Sequence, residues 1–328
     1  MTLKQALALA FKILVSIGLI VWLFGTKMDV GAIQDRLAQV SLPLLAAGIG
    51  VLLIQMLIGG MRWKVVVDVI GPRLPLGLAV RIFWIGAFFA QVLSVGGDAM
   101  RVYKSYRAGL GLAQAFNGVF LERAGTILAL LLVVAATQPI LSGRIAADMA
   151  GTLLFAALLA LAGGVVGIVL LLQLDRLPAS LDRWRAVRGL RAVVADTRRV
   201  FLAPGPLMRL LAWGFITHLN LTLAVYTLAQ GLAIDLTWLD CLVLIPPVIL
   251  AATLPISIGG WGVREGAMIA LLGLIGVAEN DAGALSILTG LVGIAAALPG
   301  GILWLLGHDH RIVLDINEKD RAHEDRVR

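Results

Sequence analysis

Eight apolar stretches of about 20 residues dominate the chain, at 6–25, 42–61, 77–95, 115–136, 146–173, 207–229, 238–257 and 283–306, with a shorter one at 266–278. A helix rises 1.5 Å per residue, so roughly 20 apolar residues span about 30 Å of hydrocarbon. Backbone polar groups find no water there, which forces each such stretch into a helix that bonds them internally. No room remains for a soluble catalytic domain, since the longest polar runs are 174–206 and the tail from 308. With 60% of 328 residues apolar and 14% charged, an ordinary soluble enzyme and a disordered chain are both excluded. The expected fold is all-α and polytopic, with about eight transmembrane helices, one or two re-entrant hairpins and two weakly repeated halves. Residues 1–307 form the membrane domain and 308–328 a polar cytoplasmic tail. Lys4 precedes the first apolar run as in a secretory signal. However, Lys12 interrupts that run and no small-x-small site follows Phe24-Gly25, so it reads as an uncleaved span.

Lys and Arg outnumber Asp and Glu by 27 to 20, a net charge of +7. In a soluble protein that surplus would point to nucleic acid. In a membrane protein it belongs to cytoplasmic loops beside anionic lipid, so no nucleic-acid partner is expected. The stretch 174–206 carries Arg176, Arg183, Arg185, Arg188, Arg191, Arg198 and Arg199. It reads as a cytoplasmic amphipathic helix on the membrane surface. Arg62, Lys64 and Arg73 mark 62–76 as a second cytoplasmic loop, which places both termini in the cytoplasm. Three crossings between these loops would break parity, so one segment must not cross. The segment 77–95 has Arg73 and Arg81 on one flank and Arg101, Lys104 and Arg107 on the other. It reads as a hairpin that enters and leaves on the cytoplasmic side; the alternative is a true span with the charge bias broken locally.

A short internal repeat is the most informative motif. Ser94-Val95-Gly96-Gly97-Asp98-Ala99-Met100-Arg101 matches Ser257-Ile258-Gly259-Gly260-Trp261-Gly262-Val263-Arg264 at Ser, both glycines and Arg. Each copy closes an apolar segment and opens a further helix, and Pro246-Pro247 and Pro255, which break helices, precede the second. Paired glycines allow a sharp turn and bring backbone N–H groups close to a ligand. The following helix N-terminus adds partial positive charge, and an Arg one turn on fits phosphate or carboxylate. Broken helices at matching places in two halves point to a transporter's binding site. The competing reading is that the glycines only permit tight packing and the arginines only anchor helix ends.

Charges inside apolar segments are costly and need partners. Glu122 and Arg123 lie within 115–136, and adjacent helical residues point about 100° apart, so each requires its own. Glu122 is expected to meet Arg101 or Lys104, and Arg123 to face Asp98 or a lipid phosphate. Arg264-Glu265 poses the same problem after the second glycine pair. Arg101 and Lys104, three apart, share a helix face with Tyr103 and Tyr106 near it, which suits an anionic headgroup or an ordinary interfacial anchor. The candidate binding residues are therefore Ser94, Gly96, Gly97, Asp98, Arg101, Lys104, Glu122, Arg123, Ser257, Gly259, Gly260, Arg264 and Glu265. His218 and Asn220 sit in span 207–229, where the lone His reads as a helix–helix hydrogen bonder, and Gly163-x3-Gly167 reads as a helix-packing signal. The lone Cys241 and scattered His308, His310 and His323 form no metal-spaced set, and no nucleotide-binding or hydrolase motif is present. No catalytic residue, cofactor or metal is expected.

Four pieces also make the chain resemble the transmembrane domain of lysylphosphatidylglycerol synthases, the flippase-like or UPF0104 membrane proteins. They are Arg62-Trp63, Gly96-Gly97-Asp98-Ala99-Met100-Arg101, Glu122-Arg123, and the long run from Leu254 through Pro255, Gly259-Gly260 and Trp261 to Arg264-Glu265. The resemblance implies a lipid-translocase-like domain of the bacterial cytoplasmic membrane, with an anionic phospholipid or polyprenyl lipid as its substrate. It further implies a lipid-modifying enzyme or a second copy of the chain as partner. The sequence departs from full synthases in lacking their soluble aminoacyl-transferase domain, so aminoacylation is not expected. It also has Ala90-Gln91-Val92-Leu93-Ser94 where relatives often carry Asn and Pro. Two other readings stand beside translocation. One is a membrane-embedded enzyme acting on lipid phosphates, with Glu122 or Glu265 as base. The other is a non-transporting accessory subunit of a lipid-modifying pathway. Under the translocase reading, the two glycine–arginine hairpins meet near the midplane around one headgroup cavity.

Overall fold

The computed structural model describes residues 3–93, 96–141, 145–174, 185–253, 257 and 259–307. Ser94, Arg176, Arg183, Pro255 and the tail 308–328 lie outside the described residues. Among the described residues twelve α-helices follow one another: α1 (Leu3–Thr26), α2 (Val30–Ala38), α3 (Leu42–Ile70), α4 (Leu76–Leu93), α5 (Gly97–Arg107), α6 (Leu112–Thr137), α7 (Ala147–Gln173), α8 (Arg185–Thr197), α9 (Pro204–Gly231), α10 (Trp238–Ala252), α11 (Val263–Gly273) and α12 (Glu279–Leu305). The protein is all-helical and polytopic. Among the described residues five helices are long and apolar enough to cross a bilayer, namely α3, α6 with its extension to Leu141, α7, α9 and α12. Leu14–Thr26 and Val30–Ala38, bent by 91°, make a sixth if taken as one broken span. The expected 77–95 and 238–257 become α4 and α10, of 18 and 15 residues, or about 27 and 22 Å at 1.5 Å per residue.

By Cα proximity the chain divides into two interleaved compact units, each holding one copy of the glycine motif. The unit built from 56–126, 167–213 and 297 onward packs around Trp63, Val67, Ile82, Leu110 and Ala115, all buried. Helix α3 continues past the expected boundary at residue 61 to Ile70. Arg62 and Lys64 are therefore helical residues, not loop charges, and Arg62 is buried. Hydropathy falls at Arg62 while helix propensity does not, so the charge marked the end of the apolar run and not the end of the helix. One amide joins the end of α3 to the start of α6: Gln114 donates to the Ile70 carbonyl at 2.9 Å and accepts from Gly111 N–H at 3.0 Å. Helices α4 and α5 form a hairpin closed by glycine, since a Cβ on Gly97 would lie 2.6 Å from both Ala90 Cβ and the Gly86 carbonyl. Helix α8 is set into this unit, with Val194 buried and Asn117 of α6 donating to Asp196 at 2.7 Å.

The other unit comprises 1–55, 127–166 and 214–296. Three contacts tie the α1–α2 bend to the start of α12: Lys27 to Glu279 at 2.7 Å, Asp29 N–H to Asn280 at 2.8 Å, and Arg36 to Asp281 at 2.7 Å. Asn220 of α9 donates to the Val51 carbonyl and to Gln55 of α3, both at 2.9 Å. Helix α10 runs unbroken through Pro246 and Pro247, against the expectation that they break it. Pro247 lacks the N–H that would reach the Val243 carbonyl four residues back. Buried Gln138 donates to that carbonyl instead, at 3.3 Å. Within α7, Gly163 faces open space and Gly164 packs on Leu131, so the glycine spacing there does not mark the helix contact.

Candidate functional site

The first glycine motif leads into a buried charge centre. Helix α3 supplies Arg62, α5 supplies Arg101 and α6 supplies Glu122; their side chains are 5%, 3% and 0% exposed. Arg62 Nε donates to Glu122 Oε1 at 2.6 Å, Arg101 donates to Oε2 at 3.0 Å, and Thr126 Oγ1 donates to Oε1 at 3.2 Å. Both carboxylate oxygens are thus engaged by charge-assisted bonds, the arrangement that lets charges persist in a water-poor interior. Gly86 makes room for this, because a Cβ there would meet the Arg101 side chain. The Arg101 guanidinium also lies 5.3 Å from the Trp63 ring and 4.9 Å from Phe83, within cation–π range. Two buried donors, Arg101 Nε and Trp63 Nε1, have no hydrogen-bond partner among the described residues.

Toward the exterior the centre continues into Asp98 and Arg123, whose side chains are 47% and 52% exposed. Arg123 forks onto Asp98 with bonds of 3.0–3.3 Å, and Arg101 reaches the same carboxylate at 3.3 Å. Of the predicted residues, the structure therefore brings Asp98, Arg101, Glu122 and Arg123 together. Glu122 takes Arg101, one of its two expected partners, and Arg123 takes Asp98. Three guanidinium groups against two carboxylates leave one positive charge. A cavity of about 560 Å³ adjoins this pair, flanked by α5 and α6 and lined by Val102, Tyr103, Tyr106, Phe116 and Phe120 besides Asp98 and Arg123. Phe116 and Phe120 stack with rings nearly parallel, 6.3 Å apart. Lys104 is half-buried on α5 and Gly96 half-buried at its N-cap.

The second motif builds a smaller, self-contained centre. Glu265 is buried; its Oε2 accepts from Gly262 N–H at 2.5 Å and its Oε1 from Arg264 at 2.8 Å and Ser286 at 3.1 Å. Arg264 Nε donates to Ser286 at 3.1 Å and its guanidinium lies 4.7 Å from the Trp261 ring. Gly290 gives Arg264 its space, since a Cβ there would collide with the guanidinium. The N-terminus of α11, expected to hold an external anion, is occupied by the protein's own Glu265. Ser257 is buried and its hydroxyl has no partner among the described residues; Gly260 is buried and Gly259 exposed.

The two copies differ in backbone. Gly259, Gly260 and Gly262 all take left-handed φ values, +59°, +79° and +85°, whereas Gly96 sits at φ −121°. Glycine serves close helix packing in the first copy and chain reversal in the second. The site residues that sequence reasoning missed are Arg62 and Trp63. Arg62-Trp63 was a usable signal, but the end of the apolar run disguised it as a loop.

The family model described as "Lysylphosphatidylglycerol synthase TM region" matches residues 9–301. No curated protein and no solved structure matches the chain.

Proposed function

This chain belongs to the lysylphosphatidylglycerol synthase TM region family, and from that premise we propose that it binds an anionic membrane lipid and carries its headgroup across the bilayer. The observation that supports this reading most is the charge centre of α3, α5 and α6. It carries one surplus positive charge and two buried donors that have no partner among the described residues, and it grades through half-exposed Asp98 and Arg123 into an apolar, aromatic cavity. A phosphate at Arg123 would neutralise the surplus, and an acyl or isoprenoid chain would lie along Phe116 and Phe120. Charged residues within a span mark substrate paths, and the guanidinium fork matches phosphate geometry.

The reading involves no covalent step. Glu122 is bonded by two guanidinium groups and Glu265 by Arg264, Ser286 and a backbone N–H. Neither carboxylate is placed as a general base in search of a proton, which favours binding over the lipid-phosphate enzyme reading. The test is leaflet exchange of a fluorescent phosphatidylglycerol in proteoliposomes. Wild-type protein should exceed empty vesicles, and Arg123→Gln should slow exchange while leaving the melting temperature unchanged. A wild-type rate no faster than that of an Arg101→Ala, Arg264→Ala double variant would sink the proposal.

A further inference from the structure

A second cationic cavity lies on another face of α3. Residues 62 and 64 of a helix point about 200° apart, so the turn that sends Arg62 to Glu122 sends Lys64 elsewhere. Lys64 lines a cavity of about 600 Å³ with Asp68 of α3, Arg73 of the α3–α4 connection, and Arg209 and Trp213 of α9. Three cations meet one carboxylate there, and that carboxylate is already engaged. Asp68 pairs with Lys64 through Oδ2 and accepts the Leu74 N–H through Oδ1 at 3.2 Å. Arg73 is exposed and has no hydrogen bond or ion pair among the described residues, and the one bond of Arg209 runs from Nε to Gly205 O of its own helix, at 3.2 Å. The cavity thus presents two unneutralised guanidinium groups.

Its surroundings specify more than a small anion. Arg209 and Trp213 are four residues apart, hence on one face of α9, and Val65 and Leu76 add apolar walls. Arg73 follows the end of α3, and Arg209 lies in the second turn of α9. Tryptophan and arginine near helix ends occupy the headgroup level of a bilayer, where each cation attracts anionic lipid. We infer that this cavity binds the phosphate of an anionic phospholipid headgroup, at a site separate from the Arg62–Glu122–Arg101 centre and independent of whether that centre translocates anything.

The test uses the full chain purified in dodecylmaltoside, titrated with phosphatidylglycerol or phosphatidylcholine and read by native mass spectrometry. The comparison is with an Arg73→Gln, Arg209→Gln variant, whose exposed substitutions leave the core intact; its melting temperature should match wild type. The tightest phosphatidylglycerol step should weaken roughly ten- to thirtyfold, the loss of two interfacial cations, with phosphatidylcholine unaffected. Unchanged phosphatidylglycerol binding, or an equal loss for phosphatidylcholine, would overturn the inference. A parallel arm with inorganic phosphate alone separates the sources: binding of free phosphate that depends on the same two arginines and excludes phosphatidylglycerol would also overturn it. An Arg123→Gln chain should keep the phosphatidylglycerol step, so failure here and failure of the translocation reading give different results.

Discussion

Glu122 holds two arginines in a place that would otherwise expel them. Its oxygens bond Arg62 and Arg101 in a site where all three side chains are at most 5% exposed, so removing its charge leaves two like charges buried and facing each other. Breaking a buried pair from one side costs about 3–5 kcal/mol, and Glu122→Gln should lose stability on that scale in thermal melts of purified protein. Adding Arg62→Met should recover part of the loss; strictly additive effects would show that the two do not interact. Much of this centre was legible, because an intramembrane charge must have a partner and Asp98, Arg101, Glu122 and Arg123 were the available ones. Arg62 was not, because at residue 62 the hydropathy pattern ends and the helix does not. Gln138 was invisible for a different reason: its role comes from a carbonyl 105 residues away.

At the scale of elements, prolines and glycines carry information that hydropathy lacks, though less than their usual rules suggest. Pro246 and Pro247 sit inside α10 without ending it, since Gln138 takes the place of the missing backbone donor. Gln138→Leu should therefore cost about 1–2 kcal/mol, the price of an unsatisfied buried carbonyl. In a Pro247→Ala background, where the Val243 carbonyl regains its helical partner, the same substitution should cost almost nothing. Equal losses in both backgrounds would refute the compensation. The glycine repeat was readable as two turn-and-helix units, and both appear as hairpins, α4–α5 and α10–α11. The repeat did not reveal that one glycine pair packs helices while the other reverses the chain. Gly262 in the second copy, where the first has Ala99, adds a third left-handed position and shifts the helix start to Val263.

For the whole molecule, helix length sets how many segments can cross a bilayer. Among the described residues five helices suffice by length and composition, six with the bent α1–α2 pair, and α4 with α5 folds back on itself through Gly86, Ala90 and Gly97. If that hairpin is re-entrant, Arg73 and Arg107 flank it on one side of the membrane. Single cysteines at these positions, on a Cys241→Ala background, should then react with an impermeant maleimide from the same face. Labelling from opposite faces would make α4 a crossing segment. What the sequence determined by itself is the class: long apolar runs leave the backbone no bonding partner but its own helix, so an all-α membrane protein follows from hydropathy alone. The positions of the elements follow almost as directly, with α6, α7, α9 and α12 close to the apolar runs that define them. Only the tertiary structure decided what the few charges do. It made Arg62 a buried partner of Glu122 rather than a loop marker, and turned Glu265 back onto its own helix N-terminus. It also left Arg73 and Arg209 unneutralised at one cavity. The reason is physical: an apolar run needs only its neighbours to form a helix, whereas a charge in a membrane is defined by whatever distant group satisfies it.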